Sequence, residues 1–205
     1  MAKELIRITL TEFMNYVNKS GSAKMTVVTK SKTRHEEEYQ TYKDYWLKLR
    51  ENIKHVHRNN LSKEELYTII DEVSDDKKSN YSIAIEGYCK FWGKKKITWC
   101  TPPRKTWAVG SIRVELNPEL GLIINNKTFY IKLFTTANDT LDRRHADLIL
   151  ALMKKELKDK VDEDALFAVL DIKKGKLFEY DKNKKDLYTL LKAEALGFET
   201  IWLSI

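Results

Sequence analysis

The sequence predicts an α+β protein in which a helical N-terminal part packs on a C-terminal mixed β-sheet with flanking helices. Three features predict it. Through the first ninety or so residues apolar side chains recur at helical spacing, and beyond Gly93 they gather instead in short β-branched and aromatic runs broken by Pro, Gly and Asn. Two apolar helical stretches then interleave with those runs. The change of period divides the chain into residues 1–93, helical, and 94–205, sheet-bearing, two parts that can make one domain together.

The first helix starts at a capping box, because the Thr9 hydroxyl and the Glu12 carboxylate can each accept from the other's free backbone N–H. LTEFMNYVNK follows with Leu10, Phe13, Met14 and Val17 on one face, and the SGS at 20–22 ends it. MTVVTKSK, Met25 to Lys32, is β-branched but runs into the charged RHEEEYQ, and reads as a strand or an irregular link. YKDYWLKLRENIKHVH places Tyr42, Tyr45, Trp46, Leu49, Ile53 and Val56 on one stripe of about four helical turns. Ser62 and Glu65 make a second capping box ahead of Leu66, Ile69, Ile70 and Val73. DDKKSN then reads as a polar break before a fourth helix, YSIAIEGYCKFW, carrying Ile83, Ile85, Tyr88 and Trp92, with Gly87 weakening its middle.

The runs KITW, KTWAVGSIRVEL, LGLIIN and TFYIKLF predict strands. Leu141 to Leu157 is a helix started by Asp139 or Thr140 and striped by Leu141, Leu148, Ile149, Leu152 and Met153. ALFAVLDI and KLFEY are strands again. DLYTLLKAEALG is a helix with Gly197 as its C-terminal cap, and ETIWLSI is predicted to close the chain as a strand.

At 205 residues, 42% hydrophobic and 33% charged, the chain can bury a core, which excludes a disordered class. No run approaches the roughly 18 apolar residues of a spanning helix, and MAKELIRITL lacks a secretory apolar stretch, so no membrane partner and a cytoplasmic location are expected. Cys89 and Cys100 lack a CxxC pattern and read as ordinary thiols, disfavouring zinc. P-loop, Rossmann, GxSxG and HExxH signatures are absent. His55 and His57, two apart, point to different sides of a helix and suit its C-terminal dipole, while His145 falls among apolar positions as a hydrogen-bonded core histidine.

The net charge of +7 is concentrated. Between Glu86 and Glu115 lie 28 residues with no acid and seven bases, Lys90, Lys94, Lys95, Lys96, Arg104, Lys105 and Arg113, and the other 30 Lys and Arg match the 30 Asp and Glu. Trp92, Trp99 and Trp107 share the segment. Cations neutralise phosphates and release counterions while ring faces stack on bases, so this pattern suits contact with DNA or RNA, with Trp99 and Trp107 as stacking platforms. Trp-rich surfaces equally suit a protein partner or self-association, as in an adaptor.

Two places could carry chemistry. Asn125 and Asn126 can adopt the positive φ of a tight hairpin, and counting outward from Ile124 opposite Lys127 sets Glu119 opposite Lys132. That is a cross-strand ion pair, worth roughly 0.2–1 kcal/mol, or a charge stabiliser beside a carboxylate-bound metal. Asp171 and Lys173, two apart, project from one face of a continuing strand, where the carboxylate could hold Mg²⁺ and the ammonium steady an attacking water. Alternatively the strand reaches the surface there.

The order helix, three strands, helix, strand across Ile83 to Ile172, with DIKKGK at its end, resembles the core of the PD-(D/E)XK nuclease superfamily and the D-x-K-x-G ending of its exonuclease-like members. The resemblance implies Mg²⁺-dependent phosphodiester cleavage, with Asp171 and Glu119 as metal ligands, Glu115 as the other carboxylate, and Lys173 and Lys132 beside them. Two departures stand against it. Tyr130 occupies the acid position ahead of Ile131 and Lys132, and the 141–157 helix separates Asp171 from Glu115 and Glu119. A degenerate, non-cleaving version of the fold is thus left open beside an active one.

Overall fold

The computed structural model describes residues 5–36, 44–135, 140–181 and 187–205. The chain enters on a strand, β1 (Ile6–Thr9), and turns directly into α1 (Leu10–Val17) through the expected capping box. Glu12 N–H donates to Thr9 Oγ1 at 3.1 Å and Thr9 N–H donates to Glu12 Oε2 at 2.9 Å. Three helices follow: α2 (Ser22–Glu36), α3 (Leu47–Arg58) and, after a 3-10 helix at Lys63–Ile70, α4 (Asp75–Trp92). Strands β2 (Ile97–Cys100), β3 (Lys105–Val109), β4 (Ile112–Leu116), β5 (Leu120–Ile124) and β6 (Lys127–Phe134) precede α5 (Arg143–Leu157). Then come β7 (Leu166–Asp171), β8 (Lys176–Glu179) and α6 (Tyr188–Ser204).

The strands form two sheets. The smaller has order β1-β4-β3 with β1 parallel to β4, and the larger has order β2-β5-β6-β7-β8 with β6 parallel to β7. Alternation along the larger sheet supplies two cores. Leu120, Leu122, Ile124, Phe129, Ile131, Leu133, Ala168, Leu170 and Ile172 face α3, the 3-10 helix and α4. Tyr130, Phe167, Val169 and Phe178 belong to the other core, with the small sheet, α1, α5 and α6. Each core draws residues from both sides of position 93.

Several stretches depart from the sequence reading because packing outweighs local propensity. Met25 to Lys32 lies inside α2, not on a strand or link; Val28 and Ser31 are its buried positions, and the Thr29 hydroxyl satisfies the Met25 carbonyl at 3.0 Å. Lys24 pairs with Glu194, and Lys32 Nζ donates to the Trp202 carbonyl at 3.1 Å, so α2 is tied along α6. The second capping box does not form, and Ser62 instead precedes a 3-10 helix without capping it. DDKKSN is the opening of α4 rather than a break, and its two acids sit at the positive end of the helix dipole. KTWAVGSIRVEL folds back at Gly110 into β3 and β4, so among the described residues five strands, not three, separate α4 from α5. Asp142, rather than Asp139 or Thr140, caps α5 by accepting the His145 N–H at 2.8 Å; Asp139 lies outside the described residues, as does Tyr42.

ETIWLS is the end of α6, with Ile205 just beyond it, not a strand. Leu191, Ala195, Phe198 and Trp202 make one buried stripe through it, and Glu199 Oε1 accepts the Ser111 N–H at 3.0 Å. Gly197 is therefore mid-helix, where a Cβ would stand 2.8 Å from the Tyr16 hydroxyl. A tighter crossing explains the glycine within α4. A Cβ on Gly87 would lie 2.1 Å from the Ile172 carbonyl oxygen and 2.4 Å from that of Lys173, so the helix passes directly over the β7–β8 turn.

Candidate functional site

The hairpin count places Glu119 against Lys132. Asn125 and Asn126 take φ of 49° and 63°, Ile124 pairs with Lys127, and Leu120 pairs with Ile131. Lys132 and Glu119 form an ion pair with both side chains about nine-tenths buried, and the Leu133 N–H donates to Glu119 Oε2 at 2.8 Å. Arg50 of α3, ion-paired with Asp44, adds to Glu119's surroundings. Burial lowers its pKa, but Asp44 and then Glu119 outweigh that and raise it. Glu119 is thus held by a backbone donor and an ion pair where the chain enters β5.

Asp171 and Lys173 do not share a face. Strand alternation ends with β7 at Asp171, and the chain turns through 172–175 under the α4 crossing. The Asp171 carboxylate accepts the Lys174 N–H at 3.2 Å and lies 3.7 Å from Lys174 Nζ, whereas Lys173 Nζ stands 5.7 Å over the Trp46 ring. Glu115 belongs to the smaller sheet, where it accepts the Thr106 hydroxyl at 3.0 Å. Among the described residues, no group of three or more His, Cys, Asp or Glu is placed to hold a metal ion. His145 is half-buried rather than in the core, its Nδ1 3.5 Å from Asp142 Oδ1, on a cleft that Lys132, Asn15 and Asn18 also line. Cys89 and Cys100 are free thiols.

The basic segment divides into two groups. Three of its members are taken up by the smaller sheet and the helices on it. Lys105 pairs with Glu156 at 2.7 Å and donates to that residue's carbonyl at 3.0 Å. Trp107 is buried and its Nε1–H donates to the Tyr188 hydroxyl at 3.0 Å, so its ring has no face for a base. Arg113 donates to the carbonyls of Gly110 and Ile112 at 2.9 and 2.8 Å. Arg104 is exposed between β2 and β3.

The other group collects where the C-terminal ends of α3 and α4 meet β2. Lys90, Lys94, Lys95 and Lys96 are exposed on the last turn of α4 and the link that follows, but the Lys95 ammonium folds back over the Phe91 ring and donates to the Phe91 carbonyl. The α4 C-terminus is anchored by Lys63, whose Nζ donates to the Gly93 carbonyl at 3.1 Å. Trp99, half-buried on β2, carries the Arg58 guanidinium 4.9 Å from its ring centroid. Beside it, Trp92 stacks on His57 at 4.3 Å and 24°.

His57 differs from the helix-dipole partner that its sequence position suggests. It is buried, shares a 2.7 Å hydrogen bond with the Tyr88 hydroxyl, and is pushed down by burial to a pKa of about 4, so the ring is neutral near pH 7. Burial likewise raises the Tyr88 hydroxyl well above its ordinary value. Arg58 on this surface, and the buried His57 packed on Trp92, lie outside the acid-free segment. Their signal in the sequence is the HVHR at the end of α3, which gains meaning only when α3 is laid against β2.

No described helix is long and apolar enough to cross a membrane. Compared with known proteins, the sequence matches no protein-family model and no curated protein.

Proposed function

We propose that the protein binds nucleic acid through the surface where the ends of α3 and α4 meet β2. The observation that carries this reading is the exposed Arg58 guanidinium 4.9 Å from the centre of the Trp99 ring, on a strand that the exposed Lys94 and Lys96 lead into, with the exposed Lys90 on the last turn of α4. Exposed ammonium groups give up little solvation on meeting phosphates, and each phosphate contact releases condensed counterions, so the favourable term grows with the number of contacts. A half-buried indole under a guanidinium offers a flat, cationic place beside them.

Salt tests the reading. With about four phosphate contacts, the slope of log affinity against log salt should be about −3 to −4, a loss of roughly 100-fold between 50 and 200 mM salt. Fluorescence anisotropy of a labelled oligonucleotide measures it. No binding at low salt, or an affinity indifferent to salt, removes the proposal.

A further inference from the structure

Resting on that reading, we infer that the ligand is a single-stranded nucleic acid, one of whose unpaired bases stacks on the exposed Arg58 guanidinium that Trp99 backs. Trp99 packs partly against the core shared with α3 and α4, and among the described residues β2 is the outermost strand of its sheet, paired with β5. The indole is therefore fixed in place, and Arg58, itself exposed, lies against it at 4.9 Å. A guanidinium is planar, weakly hydrated and able to stack on both faces, so an aromatic ring can add to the pair as a third layer. An ammonium has no plane and cannot serve in this way.

The geometry selects among nucleic acids. In a duplex each base has both faces covered by its neighbours, and a protein meets base edges and phosphates. An unpaired base presents a free face, which is what a stacking plane recognises. The lysines around the end of α4 serve either form, since phosphates are common to both. Preference for the single strand is therefore assigned to Arg58 with Trp99, and general affinity to the lysines. Indole shielding by Arg58 also leaves the site indifferent to base identity, because every base has a face to stack.

The test titrates oligo-dU, oligo-U and a DNA duplex of equal length into the protein and into its Arg58→Lys variant, which keeps the charge and removes the plane. At least one single strand should bind about tenfold or more tightly than the duplex, and whichever is bound more tightly identifies the sugar. Arg58→Lys should lower single-strand affinity about fivefold or more, the effect of losing one stacked base, while duplex affinity stays put. Duplex binding as tight as both single strands overturns the inference and leaves the proposed function standing, as does an Arg58→Lys variant with an unchanged preference. Failure of all three nucleic acids to bind overturns both.

Discussion

At His57, burial acts on one proton. In the unfolded chain the imidazole titrates near 6.5, and in the folded protein near 4. Between those values the unfolded state binds the extra proton, so stability falls as pH falls. The contribution of the neutral ring is complete above about pH 6.5 and lost by about pH 4, with a total on the order of 3 kcal/mol. Melting temperature should therefore drop from pH 7 to pH 4.5, and His57→Gln, though less stable at pH 7, should show a flatter profile over the same window; an equally steep profile places the acid sensitivity elsewhere. The Glu119–Lys132 pair shows how much can be legible at this scale. Two asparagines fix the turn, the turn fixes the register, and the register fixes the pair. Asp171 and Lys173 were less legible, because their shared face depends on the strand continuing, and where β7 stops is set by a helix distant in sequence.

Among elements, that crossing of α4 over the β7–β8 turn sets two effects against each other. Alanine is better than glycine inside a helix by about 1 kcal/mol, so propensity alone predicts that Gly87→Ala stabilises the protein. The added methyl, however, would stand 2.1 Å from the Ile172 carbonyl oxygen, a backbone atom that moves only if the turn moves. Overpacking of this kind costs about 1–3 kcal/mol, and contact with rigid backbone belongs at the upper end. Denaturant unfolding of Gly87→Ala should show net destabilisation; a gain in stability means that the helix stands off the turn. The same competition explains what the sequence pattern missed. Cut at Gly197, the tail ETIWLSI is β-branched and aromatic, but read continuously from Leu191 its buried positions keep helical spacing through Trp202. In α2 the low apolar content hid the helix, whose stability comes from packing on α1 and α6 rather than from an amphipathic stripe.

For the molecule as a whole, sheet order decides which cations act together, and sheet order is nonlocal. Nothing near the basic segment announces that β1, about a hundred residues earlier, will pair with β4 and draw β3 away from β2 into a separate sheet. As a result one acid-free stretch serves two purposes. Its first part, Lys90 to Trp99, leaves its lysines exposed and sets Trp99 against Arg58, and its later part binds the small sheet to α5 and α6 through Lys105, Glu156, Tyr188 and Trp107. Burial raises the pKa of Glu156, but Lys105 and Tyr188 outweigh it and hold the carboxylate below its ordinary value, so this network is a buried charge kept by its partners. The two parts should separate experimentally. Lys94→Glu with Lys96→Glu should lower oligonucleotide affinity at least tenfold and reduce the salt slope by about 2, with the melting temperature unchanged. Lys105→Met should leave Glu156 short of a partner, costing about 1–2 kcal/mol and lowering the melting temperature by roughly 2–8 °C, while affinity holds. If Lys105→Met weakens binding as much as the paired lysine reversals do, the whole segment acts as one surface and the division drawn from the sheet order is wrong.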